Sequence, residues 1–348
     1  MKRIISLLLT VLTFTFIFTA CGSTTKKTEI EDSNEETVSS DELEKPDTTD
    51  DTKEITISVG DQAAFFLFKV AEQKGFFEEE FGKDNITVKT EIFAKMGPAI
   101  IEAMGAGDVD LSIVGIFPVV NANNSGNEIT ILASGNYTAD GFRLVVGSES
   151  DITSVDQLSG KKIGVASGTA EHMITLQLLQ KYNISDQVEL VNLSQADALT
   201  ALLSGDIDAA LFNSGTLSDA EKAGAKTIAT NEETGLVVNP VIGRKAFVEE
   251  NPEITSRFLK VLDKTAKWID ENEDETVKIA AEVIGSDEES VRVSLLARGR
   301  KISISDEYLV TPVQSTLDFA KEQGLIDENL VYEDIVDTTY YENAGIEE

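Results

Sequence analysis

Cysteine, histidine and tryptophan occur once each among 348 residues, as Cys21, His172 and Trp268. One cysteine permits no internal disulfide, so Cys21 reads as a chemical handle and not a staple. With one histidine and no cysteine beyond Cys21, no His/Cys set can hold a metal, and only His172 could serve as base to a nucleophilic serine. Neither a His-Glu-x-x-His pair nor a Walker-type glycine loop is present. The expectation is a protein that is not an enzyme and carries no metal and no cofactor. Positive charge is equally scarce: against 62 acidic residues stand 29 basic ones, a formal net charge of −33. Without a basic stripe, nucleic acid is excluded as a partner and anionic headgroups as a docking surface.

Long apolar runs are also missing, with one exception at the start. Ile4 to Ala20 carries no charge, follows Met1-Lys2-Arg3 and ends in Phe18-Thr19-Ala20-Cys21-Gly22. A basic end, a short apolar core and small residues describe a secretory signal over residues 1–20, because crossing a bilayer takes about 20 apolar residues. The segment resembles the lipobox of bacterial lipoproteins, with Phe18 where leucine is usual. That resemblance implies cleavage before Cys21 and a diacylglyceryl group on its sulfur, giving a lipid anchor to the cell membrane on its extracytoplasmic face. Residues 21–53 are dominated by Glu, Asp, Ser and Thr, which cannot bury enough apolar area to offset ordering; an acidic disordered tether is expected there.

Beyond the tether, two stretches repeat one pattern. Glu102-Ala103-Met104-Gly105-Ala106-Gly107-Asp108-Val109-Asp110-Leu111 and Thr200-Ala201-Leu202-Leu203-Ser204-Gly205-Asp206-Ile207-Asp208-Ala209 each read as a helix stopped by glycine, an acidic pair around a β-branched residue, and a buried strand. Strands alternating with helices around both copies indicate an α/β chain with largely parallel sheets. Two α/β lobes are expected, joined by two hinge crossings near Arg143–Gly147 and Glu233–Gly243. Lobe 1 would comprise residues 54–145 and 240–348, and lobe 2 residues 146–239.

From Ile55 to about Leu325 the chain resembles the nitrate-, taurine- and alkanesulfonate-binding proteins of bacterial ABC importers, a family that also holds binders of thiamine-pyrimidine precursors. The likeness is carried by Gly97-Pro98, Glu102-Ala103-Met104, Gly107-Asp108-Val109-Asp110, Gly115 and Pro118, Asp156–Val165, Ser167-Gly168-Thr169 with His172, Ala198-Leu199 and Gly205–Ala209. It implies a type II periplasmic-binding-protein fold with a small organic anion of the sulfonate, taurine or nitrate class between the lobes. The implied partners are an ABC permease and its ATPase, with the carrier a monomer. Two other readings stay open: a binder of a thiamine-pyrimidine or other heteroaromatic precursor, and a surface sensor or adhesin. Sulfonate carriers of the family often have tryptophan where Phe212 or Asn213 lies here.

In open α/β sheets ligands sit beyond the carboxyl ends of strands, where helix N-termini favour an anion. The loops so placed supply Asp61, Gln62, Phe66, Lys95, Gly97, Gly115, Phe117, Asn136, Tyr137, Ser167, Gly168, Thr169 and Asn213 as candidate ligand contacts. Ser167 or Thr169 also reads as a helix N-cap. Lys95 and Arg143 are the cations best placed for an acidic ligand; Arg143, inside an apolar strand, must either face the cleft or pair with a carboxylate. His172 joins the set on the family resemblance. Of Phe65, Phe66, Phe117, Tyr137 and Phe212, at least two should be core residues.

Overall fold

Each Gly-Asp repeat locks a helix exit to the neighbouring strand in the same way. Gly107 and Gly205 take φ of +86° and +79°, a left-handed turn that a Cβ would strain. Asp110 then donates its N–H to the Ser58 carbonyl at 2.8 Å and accepts the Ser58 N–H on Oδ2 at 2.9 Å. Asp208 does the same with Lys162, at 2.9 Å in both directions. One carboxylate thus closes a two-way bond with an adjoining strand in each lobe.

The computed structural model describes residues 54–62, 65–93 and 96–347. The signal segment, Cys21, the tether and Lys95 lie outside the described residues. The chain enters through β1 (Ile55–Asp61), α1 (Leu67–Gln73), α2 (Phe76–Phe81), β2 (Ile86–Ile92), α3 (Met96–Ala106), β3 (Leu111–Ile113), α4 (Ile116–Asn124) and β4 (Ile129–Thr138). It crosses to β5 (Phe142–Val146), β6 (Lys162–Val165), α5 (Ala170–Lys181), β7 (Glu189–Asn192), α6 (Gln195–Ser204), β8 (Ala209–Asn213), α7 (Ser214–Lys222) and β9 (Lys226–Thr230). It returns through β10 (Val237–Arg244), followed by α8 (Lys245–Glu250), α9 (Pro252–Glu271), α10 (Glu273–Ile284), α11 (Glu288–Leu296), β11 (Gly299–Arg300), α12 (Thr311–Glu322), α13 (Tyr332–Ile335) and α14 (Thr339–Ala344).

Two sheets result, ordered β2-β1-β3-β10-β4-β11 and β7-β6-β8-β5-β9. In both, the fourth strand runs antiparallel and is delivered by a crossing from the other lobe: β5 follows β4 in sequence but pairs with β8 and β9, while β10 follows β9 but pairs with β3 and β4. This corrects the expected boundaries. Phe142–Val146 is a full strand of lobe 2 and not a hinge, and β10 belongs to lobe 1 from Val237; the crossings are residues 139–141 and 231–236. An apolar run shows that a strand is buried, but its sheet is chosen by partners far away in sequence.

Helices cover both faces of each sheet. α9 is the longest, opened by Pro252 in its first turn, and Ile254, Phe258, Leu262, Ala266 and Ile269 repeat at helical spacing to bury one stripe against α1, α2 and the first sheet. Among the described residues no helix is long and apolar enough to cross a membrane.

Candidate functional site

The N-termini of α4, α5, α6 and α7 meet at the gap between the lobes, which encloses a cavity of about 620 Å³. That volume suits a small metabolite. Lobe 1 contributes Gln62, Phe65, Phe93, Gly97, Pro98, Gly115, Asn239 and Arg298; lobe 2 contributes Phe142, Thr169, Ala170, Glu171, Ser194, Gln195, Asn213 and Thr216. Most of the wall is apolar, and its ionisable groups among the described residues are Glu171 and Arg298, one from each lobe.

Arg298 reaches the wall from the segment between α11 and β11. Its guanidinium lies 5.9 Å from the Phe65 ring centre and donates to the Ser294 hydroxyl at 3.1 Å. Burial lowers its pKa to about 10, opposed by the charge of Glu171. Glu171 sits in the first turn of α5. Its Oε1 accepts from Asn213 Nδ2 at 2.7 Å and Gln195 Nε2 at 2.9 Å, and burial raises its pKa. Thr169, the N-cap of α5, accepts the His172 N–H at 3.3 Å and donates to the Ala166 carbonyl at 2.7 Å. Gln62 donates to the Ile113 carbonyl at 2.9 Å, pinning the exit of β1 to that of β3. Asn239 stands where the β4–β10 register shifts beside Pro240, a residue with no N–H for the ladder.

Of the sequence candidates, Gln62, Gly97, Gly115, Thr169 and Asn213 are in the cavity wall. Lys95 lies outside the described residues, and the other described candidates are not in the wall. Arg143 corrects the expectation of a cation at the cleft: its strand is in lobe 2, and its side chain pairs with Asp140 at 3.0 Å. Phe66 is buried in the lobe 1 core at φ +63°, and Phe212 fills the lobe 2 core. Phe117 also packs in a core, with its ring 6.1 Å from that of His172 in the opposite lobe. His172 accepts the Gly168 N–H on Nδ1 at 3.3 Å, and burial lowers its pKa. The Ser167 N–H is tied to Asn192 Oδ1 at 2.9 Å, while Gly168 makes the left-handed turn into α5. Tyr137 packs on Tyr308 with ring centres 4.9 Å apart. Asp61 and Asn136 are fully enclosed beneath the cleft, not in its wall, and neither side chain forms a well-aligned hydrogen bond.

Arg298, Glu171, Gln195 and Asn239 were not legible as site residues. Arg298 carries no motif and is 236 positions from Gln62 in sequence. Glu171 offered one signal, an acidic residue in the first turn of a helix already suspected of facing the cleft.

The NMT1/THI5 like family model matches residues 62–276. A putative aliphatic sulfonates-binding protein of Bacillus subtilis (strain 168) is 30% identical over 295 residues, covering 83% of this chain and 87% of that protein. The taurine-binding periplasmic protein of Escherichia coli (strain K12) is 29% identical over 211 residues, 59% of this chain and 64% of that protein. The crystal structure of the periplasmic aliphatic sulphonate binding protein SsuA from Escherichia coli superposes with a TM-score of 0.71 at 18% identity, covering 80% of this chain and 91% of that one, a likeness of fold.

Proposed function

The chain belongs to the NMT1/THI5-like family, and from that premise we propose that it is the extracytoplasmic substrate-binding protein of an ABC importer, capturing a small organic sulfonate between its lobes. The observation that carries this reading is Arg298, a buried guanidinium and the one cation among the described residues of a mostly apolar interlobe wall. A sulfonate brings an oxyanion for the guanidinium, which forms charge-assisted hydrogen bonds, and a carbon chain for Phe65, Phe93 and Phe142. The N-termini of α4 and α3 at Gly115 and Gly97 add donors on the same lobe.

Delivery follows from closure: ligand bound to both lobes favours the closed form, which a permease with its ATPase can recognise. Cys21 is the proposed lipid anchor and residues 21–53 the tether that gives the carrier its reach. Replacing Cys21 by alanine should release the protein into the medium.

The test is calorimetry and thermal shift with alkane- and aminosulfonates, nitrate, short carboxylates and aminopyrimidines. A sulfonate at 100 times its Kd should add about 2.7 kcal/mol to stability. Arg298→Ala should weaken sulfonates by about 2 kcal/mol or more, roughly 30-fold. Binding of aminopyrimidines alone, unchanged by Arg298→Ala, would replace this reading with the heteroaromatic one.

A further inference from the structure

The cleft arginine is held through the residue on each side of it. Before it, the Ala297 carbonyl accepts from the Thr138 hydroxyl at 2.8 Å. After it, Gly299 pairs with Tyr137 across the β4–β11 ladder, and the Tyr137 ring lies so close over Gly299 that a Cβ there would overlap Cζ and Oη. Only glycine permits that approach. Tyr308 backs the ring, with centres 4.9 Å apart. Two consecutive residues of β4 therefore grip the backbone on both sides of Arg298.

Thr138 is also the last residue of β4, directly before the first crossing. Its carbonyl accepts from Asn231 Nδ2 at 3.2 Å; Asn231 opens the second crossing, and its Oδ1 takes the Phe142 N–H at 3.0 Å, just past the first. Gly141, inside the first crossing, has no room for a Cβ because the Thr138 hydroxyl fills that space. The hydroxyl of this buried residue thus serves the segment that carries Arg298, and its carbonyl serves the joint between the lobes. We infer that Thr138 is a positioning residue that couples the cleft arginine to the crossings: bending of the crossings moves Arg298, and a ligand drawn onto Arg298 biases the crossings. The warrant is a contiguous chain of hydrogen bonds through one residue, with a short side chain at each link. This deepens the proposed function and rests on its reading of Arg298 as the ligand's partner.

Hydrogen exchange on the full chain without ligand tests the coupling, and calorimetry with ethanesulfonate and butanesulfonate tests its use. Thr138→Val keeps the shape and removes the donor; Thr138→Ser keeps the donor. The valine variant should speed amide exchange about tenfold or more at residues 297–300 and at both crossings together, with the rest of both sheets as in wild type, and should weaken both sulfonates about tenfold. Serine should restore exchange and binding alike. Asn231→Asp enters from the other end: it removes the Nδ2 donor, keeps an oxygen for Phe142, and should speed exchange at residues 297–300 although the Asn231 side chain bonds to Thr138, Phe142 and Gly235. Faster exchange in one of the two places alone, or spread evenly through both lobes, would overturn the inference, as would a valine variant that binds both sulfonates like wild type. If Thr138→Val does not fold, Asn231→Asp decides the matter by the same criterion. A wild-type chain that takes neither sulfonate would overturn the sulfonate reading, and the exchange pattern would still decide for or against the coupling.

Discussion

Asp61 ends β1 with its side chain fully enclosed and neither oxygen in a well-aligned hydrogen bond. Burial raises its pKa from 3.8 to about 7, outweighing the nearby Lys69, whose ammonium is held by Glu72 at 3.0 Å and Thr90 at 2.6 Å. Between those two pH values the folded chain keeps a proton that the unfolded chain has released, so stability falls as pH rises. Linkage puts the cost at about 2 kcal/mol at pH 5 and about 4 kcal/mol at pH 8. Asp61→Asn is neutral at every pH and removes this slope, whatever constant offset its buried amide introduces. The difference in Tm between variant and wild type, measured by calorimetry without ligand, should therefore move in favour of the variant by roughly 5 °C between pH 5 and pH 8. Comparing the two chains cancels every other titration they share. Parallel pH profiles would show that Asp61 ionises freely in the folded state and refute the reasoning.

His172 acts in the opposite sense: burial lowers its pKa, so its contribution is present above 6.5 and lost as pH falls, and His172→Gln should flatten the acid side of the stability profile. A Cβ at Gly115 would lie 3.5 Å from Asn239 Oδ1 and 3.7 Å from Ala170 Cβ on the opposing lobe. Gly115→Val should therefore weaken ligand at least tenfold by calorimetry, with an apo Tm within about 2 °C of wild type, because its branch occupies the gap and not a core. The two repeat aspartates should differ under denaturant. Asp110 is buried and pairs with Arg244 at 2.7 Å, so Asp110→Asn should cost about 3 kcal/mol; Asp208 is more exposed, 3.3 Å from Lys161, and Asp208→Asn should cost about 1 kcal/mol or less.

Order and type of elements were legible because helix and strand periods are local. The Gly-Asp repeat even revealed that the chain has two similar halves, which the Asp110–Ser58 and Asp208–Lys162 bonds embody. What failed was anything decided by a distant partner. Phe142–Val146 reads as an apolar strand in either lobe; only its pairing with Ala209–Asn213 assigns it. Arg143 illustrates the same limit: it is half-exposed and pairs with Asp140, three residues back, where a cleft ligand was expected. The strand-end loops were correct in outline, giving Gln62, Gly97, Gly115, Thr169 and Asn213 in the wall, whereas Arg298 arrives by a return path no motif marks. β11 brings it there by pairing Gly299 with Tyr137 and Arg300 with Asn136.

The swapped fourth strands also explain how two lobes can close without loosening. Each crossing is anchored in both sheets, and buried Asn231 ties the two together: its Nδ2 donates to the Thr138 carbonyl at 3.2 Å and its Oδ1 accepts the Phe142 N–H at 3.0 Å. Residues 139–141 and 231–236 must therefore bend together, making rotation of rigid lobes the low-cost motion. Contacts that hold the lobes against each other are modest, among them the Phe117–His172 rings and Gln180 Nε2 to Glu322 at 2.9 Å. An exposed polar contact of that kind contributes little. Closure is thus left to whatever occupies the cavity, whose ionisable groups among the described residues are Arg298 from one lobe and Glu171 from the other.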